Sequence, residues 1–198
     1  MTQNIHPIFD TMLNRREKES LLAQKAVVVW MTGLSGSGKS TIAKGLEKRL
    51  YDHGIITKLL DGDNLRTGLN KNLGFSDEDR SENIRRVAET AKLFLDTGIV
   101  TICSFVSPTK SIRKLAEDII GNDDFLEVII DASFDECAKR DVKGLYKKAI
   151  KGEIKNFTGL DAPFEKPANP YFLIDTETLS PAESVDLLFN KLIKTIKI

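Results

Sequence analysis

Five short apolar-rich runs punctuate the chain: Ala26–Met31, Ile55–Leu60, Gly98–Cys103, Phe125–Ile130 and Tyr171–Ile174. Each has the length of a strand and is rich in β-branched and aromatic residues, which predicts strands buried on both faces. Longer stretches between them carry a helical period, such as Val87, Ala91, Phe94 and Leu95. Strands alternating with helices predict βαβ units and a mainly parallel sheet covered on both sides, an α/β fold. Local signals mark helix starts. Ser133 followed by Glu136 fits a capping box, Ser180-Pro181-Ala182-Glu183 adds proline at the first helical position, and Ser76 before Asp77-Glu78-Asp79 is a weaker version. Lys151–Pro170 is polar, rich in glycine and proline, and aperiodic. Unstructured stretches of that length in compact domains are functional or disordered. No internal repeat or low-complexity segment is evident.

Composition changes this picture mainly by exclusion. The 198 residues hold 29 basic and 29 acidic side chains, with 41% hydrophobic residues. That length predicts one domain, here residues 26–198, preceded by a charged N-terminal arm, 1–25. Zero net charge argues against a general nucleic-acid partner, which requires a basic surplus. The longest apolar run, Ala26–Met31, is too short to span a membrane. The arm, with Asp10 and Arg15-Arg16-Glu17-Lys18-Glu19, contains no signal-peptide core. Cys103 and Cys137 lack metal-ligand spacing, which predicts no disulfide framework and a cytoplasmic location.

The strongest chemical signal is Gly33-Leu34-Ser35-Gly36-Ser37-Gly38-Lys39-Ser40-Thr41, a full GxxxxGK[ST] phosphate-binding loop (P-loop). It follows the first predicted strand and opens a helix, Thr41–Leu50. Glycines let backbone N–H groups converge on phosphate oxygens, and the helix N-terminus adds partial positive charge. Lys39 is placed to reach the β- and γ-phosphates, and the Ser40 hydroxyl to ligate magnesium. A plain glycine–serine turn is the competing reading, and its strand–helix setting disfavours it.

The second strand leads into Asp61-Gly62-Asp63-Asn64-Leu65-Arg66. Ligands of open parallel sheets sit beyond the carboxyl ends of strands, so Asp61 and Asp63 are expected to face the P-loop crevice. A carboxylate there can take a proton from a hydroxyl or hold magnesium through water. A turn with a helix cap fits the same residues. Arg80, Asn83 and Val87 share a helix face, and arginine forks suit phosphate or sulfate. Phe75 just before them can stack on a base. A solvated charged face and a core phenylalanine are the local alternatives. Between residues 139 and 155, seven basic residues (Lys139, Arg140, Lys143, Lys147, Lys148, Lys151, Lys155) face two acidic ones, Asp141 and Glu153. This is a basic lid over anionic substrates or a lysine-rich solvated helix, weakened by Gly144 and Gly152.

Taken together, GLSGSGKST, DGDNLRTGLNKNLGFSDEDRSENIRR and DVKGLYKKAIKGEIKNFTGLDAPFE resemble the adenylylsulfate kinases, from about Val28 to Leu188. The resemblance implies a three-layer P-loop kinase with a five-stranded parallel sheet and a lid over about 143–165. It implies phosphoryl transfer from ATP, with magnesium, to the 3′-hydroxyl of adenosine 5′-phosphosulfate in sulfate assimilation. Gly33 to Thr41 and Arg140 would then hold ATP, with Arg140 on its adenine, and Ser40 and Asp63 would serve the metal. Asp63 would lie near the acceptor hydroxyl. Arg66, Arg80 and Asn83 would hold the phosphosulfate and ribose, and Phe75 and Phe157 would sandwich the adenine. Val106 and Ser107 would touch the acceptor, and Lys143 would reach in from the lid. Ser107 matches a serine assigned in this family as a phosphoserine intermediate. Ser107-Pro108 is equally a helix start, and in-line transfer needs no enzyme nucleophile, which favours Ser107 as acceptor contact and cap. The sequence departs from the family at Thr109-Lys110-Ser111-Ile112-Arg113 and at Asp131-Ala132-Ser133. Family resemblance also implies a homodimer, and the length implies a separate ATP sulfurylase as partner. A different small-molecule P-loop kinase (nucleoside, nucleotide or sugar acid) and a non-catalytic nucleotide sensor are the rival functions.

Overall fold

The computed structural model describes residues 4–197. Five strands, β1 (Val28–Thr32), β2 (Thr57–Asp61), β3 (Val100–Ser104), β4 (Phe125–Asp131) and β5 (Phe172–Asp175), form one sheet in the order β2-β3-β1-β4-β5. All four pairings are parallel. The helices are α1 (Arg15–Leu22), α2 (Lys39–Tyr51), α3 (Gly62–Arg66), α4 (Asp77–Leu95), α5 (Lys110–Ile120), α6 (Phe134–Arg140), α7 (Leu145–Ile150) and α8 (Pro181–Ile196).

Alternation along the strands divides the core in two. Val27, Val29 and Met31 of the first strand region point to a cluster with Ile42 and Leu46 of α2 and Leu188 and Leu192 of α8. Val28 and Trp30 point the other way, to Ile84, Val87 and Ala91 of α4 and Ala116 of α5. A three-layer α/β arrangement follows directly, since each sheet face must be covered. A third, smaller cluster joins Leu34 of the P-loop to Cys137, Tyr146, Ala149 and Phe157.

The first three strands begin about two residues later than the apolar runs suggest. Ala26, Val27 and Ile55 are buried without yet entering the ladder. The same strands run on into polar residues, Thr32, Asp61 and Ser104, at the carboxyl edge. At the opposite edge, the segment before β1 is fastened to the sheet. Arg15 pairs with Asp124 at 2.5 Å and donates to the Ala26 carbonyl, while the Gln24 amide donates to the carbonyls of Ile56 and Gly98.

The predicted N-caps at Ser76, Ser133 and Ser180 form, but the capping box at Ser133 and the cap at Ser107 do not: Glu136 turns to Arg140, and the Ser133 N–H donates to Glu177 instead. Ser180 makes a full capping box with Glu183, and Ser76 and Ser133 each accept from the backbone three residues on. Ser107 does not cap a helix. The helix after Pro108 starts later, and Thr109 is its N-cap, accepting from the Ile112 N–H at 3.4 Å. Ser107 instead sits at φ +35° with its hydroxyl turned inward to accept from Trp30 Nε1 at 3.1 Å. The basic segment is also not one helix: it breaks at Asp141, φ +24°, and restarts after Gly144. No helix among the described residues is long and apolar enough to cross a membrane.

Candidate active site

A cleft of about 930 Å³ opens at the carboxyl edge of the sheet, bounded by the P-loop, the β2–α3 turn, the start of α4, the β3–α5 loop and the lid. Its size suits two small ligands better than a macromolecule.

At one end lies the P-loop. Gly33 has no room for a side chain, because a Cβ there would stand 2.3 Å from the Ile130 carbonyl oxygen of β4. Gly38, at φ +102°, is the N-cap of α2, so the helix amides open onto the loop. Lys39 is buried and donates to the Gly33 and Leu34 carbonyls at 2.9 and 2.7 Å. Burial pushes its pKa down to about 8. Ser40, at the mouth, donates to Asp61 Oδ2 at 2.7 Å. The Asp61 carboxylate also accepts from the Asp63 N–H, so Asp61 caps α3 and faces the P-loop at once. Beside the loop, Arg140 is held by Glu136 at 3.0 Å and donates to the Thr176 carbonyl and hydroxyl at 2.7 and 3.1 Å. Thr41, Arg140, Thr176 and Leu179 line this part of the cleft.

At the other end, Arg66 and Arg80 converge on Phe75, their guanidinium carbons 4.2 and 5.9 Å from its ring centroid. Arg66 donates to the Leu73 and Gly74 carbonyls, and Arg80 to the Asn156 carbonyl and the Thr158 hydroxyl of the lid. Asn83 is buried and accepts from Asn70 at 2.9 Å. Phe75 is 63% exposed, whereas Phe157 is 8% exposed and packs edge-on against Tyr146. Arg66, Phe75, Arg80, Asn83 and Phe157 all line the cleft, together with Val106 and Ser107.

Between the two ends, the Asp63 carboxylate and the Lys143 ammonium form an ion pair from the α3 turn to the lid. Tyr146, in the same DVKGLY stretch, donates from its hydroxyl to the Ser35 carbonyl at 2.7 Å and holds the lid on the P-loop. Of the lid lysines only Lys143 and Lys155 border the cleft; Lys139, Lys147, Lys148 and Lys151 face solvent. Most of the basic surplus is thus the solvated face that periodicity alone also allowed. Arg85 and Arg86 likewise turn away, onto Glu82.

Every site residue expected from sequence borders this one cleft, apart from Leu34 and Ser37 of the P-loop and Gly33 beneath it. Sequence reading left three contributors without a role: Thr176, which anchors Arg140; Tyr146; and Arg113, buried behind the β3–α5 loop. Glu136, expected to close a capping box, holds Arg140 instead. The DVKGLY motif held the signal for Tyr146. Arg113, between Lys110 and Lys114, reads as part of a solvated face.

Comparison with known proteins identifies the family. The family model for adenylylsulphate kinase matches residues 25–175. An adenylyl-sulfate kinase from Bacteroides fragilis is 59% identical over 187 residues, 94% of this chain and 93% of that protein. One from Bacteroides thetaiotaomicron is 57% identical, covering 98% and 96%. Among solved structures, the Mycobacterium tuberculosis APS kinase in complex with AMPPNP and APS superposes with a TM-score of 0.82 at 43% identity, covering 85% of this chain and 98% of that one. The chain belongs to the adenylylsulphate kinase family.

Proposed function

We propose that this protein transfers the γ-phosphoryl group of ATP to the 3′-hydroxyl of adenosine 5′-phosphosulfate, releasing ADP and 3′-phosphoadenosine 5′-phosphosulfate. The observation that carries this reading is one continuous cleft with a P-loop at one end and an arginine-flanked aromatic platform at the other.

In this reading the loop amides and Lys39 hold the β- and γ-phosphates, and Lys39 exchanges its carbonyl partners for phosphate oxygens. Arg140, fixed by Glu136 and Thr176, lies against the donor base. Phe75 and Phe157 bracket the acceptor base, while Arg66, Arg80 and Asn83 fix its charged end and ribose. Asp63 orients the acceptor hydroxyl and takes its proton, and Lys143 neutralises charge on the group in flight. Ser107 is an acceptor contact. Transfer is direct, because Ser107 is buried with its hydroxyl bonded to Trp30 and no described base adjoins it.

The donor set also fits magnesium. Ser40 and Asp61 already meet at 2.7 Å beside Lys39, and Asp63 lies on the same turn. Among the described residues no cluster of three or more His, Cys, Asp or Glu could form a dedicated metal cage. That suits an ion bound by one or two protein oxygens, with water and phosphate completing its shell. When bound, magnesium screens the β- and γ-phosphate charge.

We place the enzyme in the cytoplasm, with a separate ATP sulfurylase supplying its acceptor, and as a homodimer. The dimer reading is supported by the exposed Ile5, Ile8, Phe9, Met12 and Leu13 before α1. The deciding experiment is a coupled ADP-release assay with ATP, magnesium and adenosine 5′-phosphosulfate, run beside a nucleoside, nucleotide and sugar-acid panel. Release only with adenosine 5′-phosphosulfate is expected. Release no faster than with ATP alone overturns the reading.

A further inference from the structure

We propose that Arg113 is a positioning residue that ties the acceptor loop to the far end of the lid, so that acceptor binding and lid placement are one event. This rests on the function proposed above.

Arg113 lies in the second turn of α5 and is 4% exposed, although its neighbours Lys110 and Lys114 face solvent. It does not border the cleft. Its guanidinium reaches three separate parts of the chain. Nε donates to Glu127 Oε1 of β4 at 2.7 Å, Nη1 to the Ser107 carbonyl at 2.9 Å, and Nη2 to the Glu165 carbonyl at 2.7 Å. Glu165, where the lid ends, is gripped twice more. Its N–H donates to the Pro108 carbonyl at 2.8 Å, and its carboxylate accepts from the Lys110 N–H at 2.6 Å. The lid terminus and the Ser107–Lys110 loop are therefore laced together, with Arg113 underneath.

The loop needs such a hold. Ser107 occupies the left-handed region at φ +35°, which costs a non-glycine residue about 1 kcal/mol or more. Thr32 assists, donating to the Val106 carbonyl at 2.7 Å. A guanidinium spreads its donors over three nitrogens and so spans three acceptors lying in different directions; an ammonium carries its three donors on one nitrogen and does not span them. A buried ion pair is a weak source of stability, since desolvation offsets the attraction. Burial indeed pushes the Glu127 carboxyl upward, against the pull of Arg113. What Arg113 contributes is placement of the loop that touches the acceptor.

The protein carries its own reporter. Trp30 is its single tryptophan, fully buried, and donates to the Ser107 hydroxyl. Its emission reads the acceptor loop. The experiment compares wild type, Arg113→Lys, Glu165→Ala and the double variant. Trp30 emission is titrated with adenosine 5′-phosphosulfate in the presence of AMPPNP, alongside kcat, KM for both substrates and thermal midpoint.

Arg113→Lys is expected to raise the acceptor KM about tenfold to a hundredfold, as a misplaced contact does, with AMPPNP affinity within about twofold of wild type. Its Trp30 response is expected to be blunted. Glu165→Ala, which removes an exposed carboxylate and its hydrogen bond to the Lys110 N–H, is expected to move acceptor KM and emission the same way by a smaller factor, with little change in the midpoint. The double variant should fall short of the product of the two effects, because both cut one linkage. An unchanged acceptor KM and normal emission in Arg113→Lys overturn the inference. So does an equal loss of donor and acceptor affinity in Glu165→Ala. A wild-type protein that does not turn over adenosine 5′-phosphosulfate overturns the function itself and this inference with it.

Discussion

The phosphate site at the donor end is built on one run of nine consecutive residues, Gly33 to Thr41, whereas the acceptor end gathers Arg66, Phe75, Arg80, Asn83, Ser107, Lys143 and Phe157 from segments spread across the chain. The donor end is fixed by backbone: glycines at Gly33 and Gly38, the first turn of α2, and a lysine buried to 8% exposure. The acceptor end is fixed by side chains that hold one another. Arg80 reaches the Asn156 carbonyl, and Lys143 reaches Asp63. Local sequence therefore sets the donor geometry, while the acceptor geometry exists only when lid, α4 and the β3–α5 loop are all in place.

The contrast is most severely tested at the junction. Asp63→Asn is expected to lower kcat about 10²- to 10⁴-fold while leaving ATP affinity within about twofold, because it removes a proton acceptor and not a phosphate contact. Steady-state kinetics with parallel nucleotide titration checks this, and a parallel loss of ATP affinity would move Asp63 to the donor side. For the donor end the sharpest probe is pH. Lys39 has a pKa of about 8 in the free protein, and phosphate binds its protonated form. ATP affinity should therefore weaken above pH 8, by up to about tenfold per pH unit, with proton uptake on binding. Calorimetry in buffers of different ionisation enthalpy measures that uptake. The linked effect on folding has the opposite sense. The depressed pKa means the unfolded chain binds the extra proton, so the contribution of Lys39 to stability rises between pH 8 and its ordinary value near 10.5.

The two aromatics should separate in the same spirit. Phe75→Ala is expected to raise acceptor KM about tenfold, a typical stacking loss, with little change in thermal midpoint because the ring is exposed. Phe157→Ala should do both, since its buried ring is part of the lid cluster and truncation costs about 3–5 kcal/mol. Equal thermal losses would contradict the contrast. The smallest effect belongs to Ser107→Ala. It should retain turnover within about tenfold of wild type, losing a hydrogen bond worth about 1 kcal/mol to Trp30. Loss of all activity would instead make Ser107 an obligatory phosphoacceptor.

Legibility followed the same divide. Strand and helix alternation revealed the α/β fold, because burial on both faces leaves continuous apolar runs. The P-loop was readable as a unit, since its chemistry is in its spacing. Strand ends were less so: Asp61 and Ser104 continue the ladder as polar residues, and hydrophobicity cannot see hydrogen-bond pairing. Ser107-Pro108 looked like a helix start, yet the cap is Thr109, because Trp30 and Thr32 draw Ser107 and its carbonyl inward. The lysines at 147, 148 and 151 looked like site charge until the lid fold pointed them outward. Arg113 was invisible, because its three partners lie 6, 14 and 52 residues away and no local pattern encodes them.

The self-bonded state of Lys39 has a consequence for selectivity. Its ammonium is already satisfied by two loop carbonyls, so a polyphosphate that arrives gains only the difference between two sets of hydrogen bonds. Bare tripolyphosphate or pyrophosphate should therefore be a poor competitor, however well its shape fits the loop. Intact nucleotide wins through the region beside Arg140 and Thr176, where a base adds contacts that displace nothing. A phosphate-rich milieu would leave the loop free for its donor, and a competing compound would gain more from its heterocycle than from added negative charge.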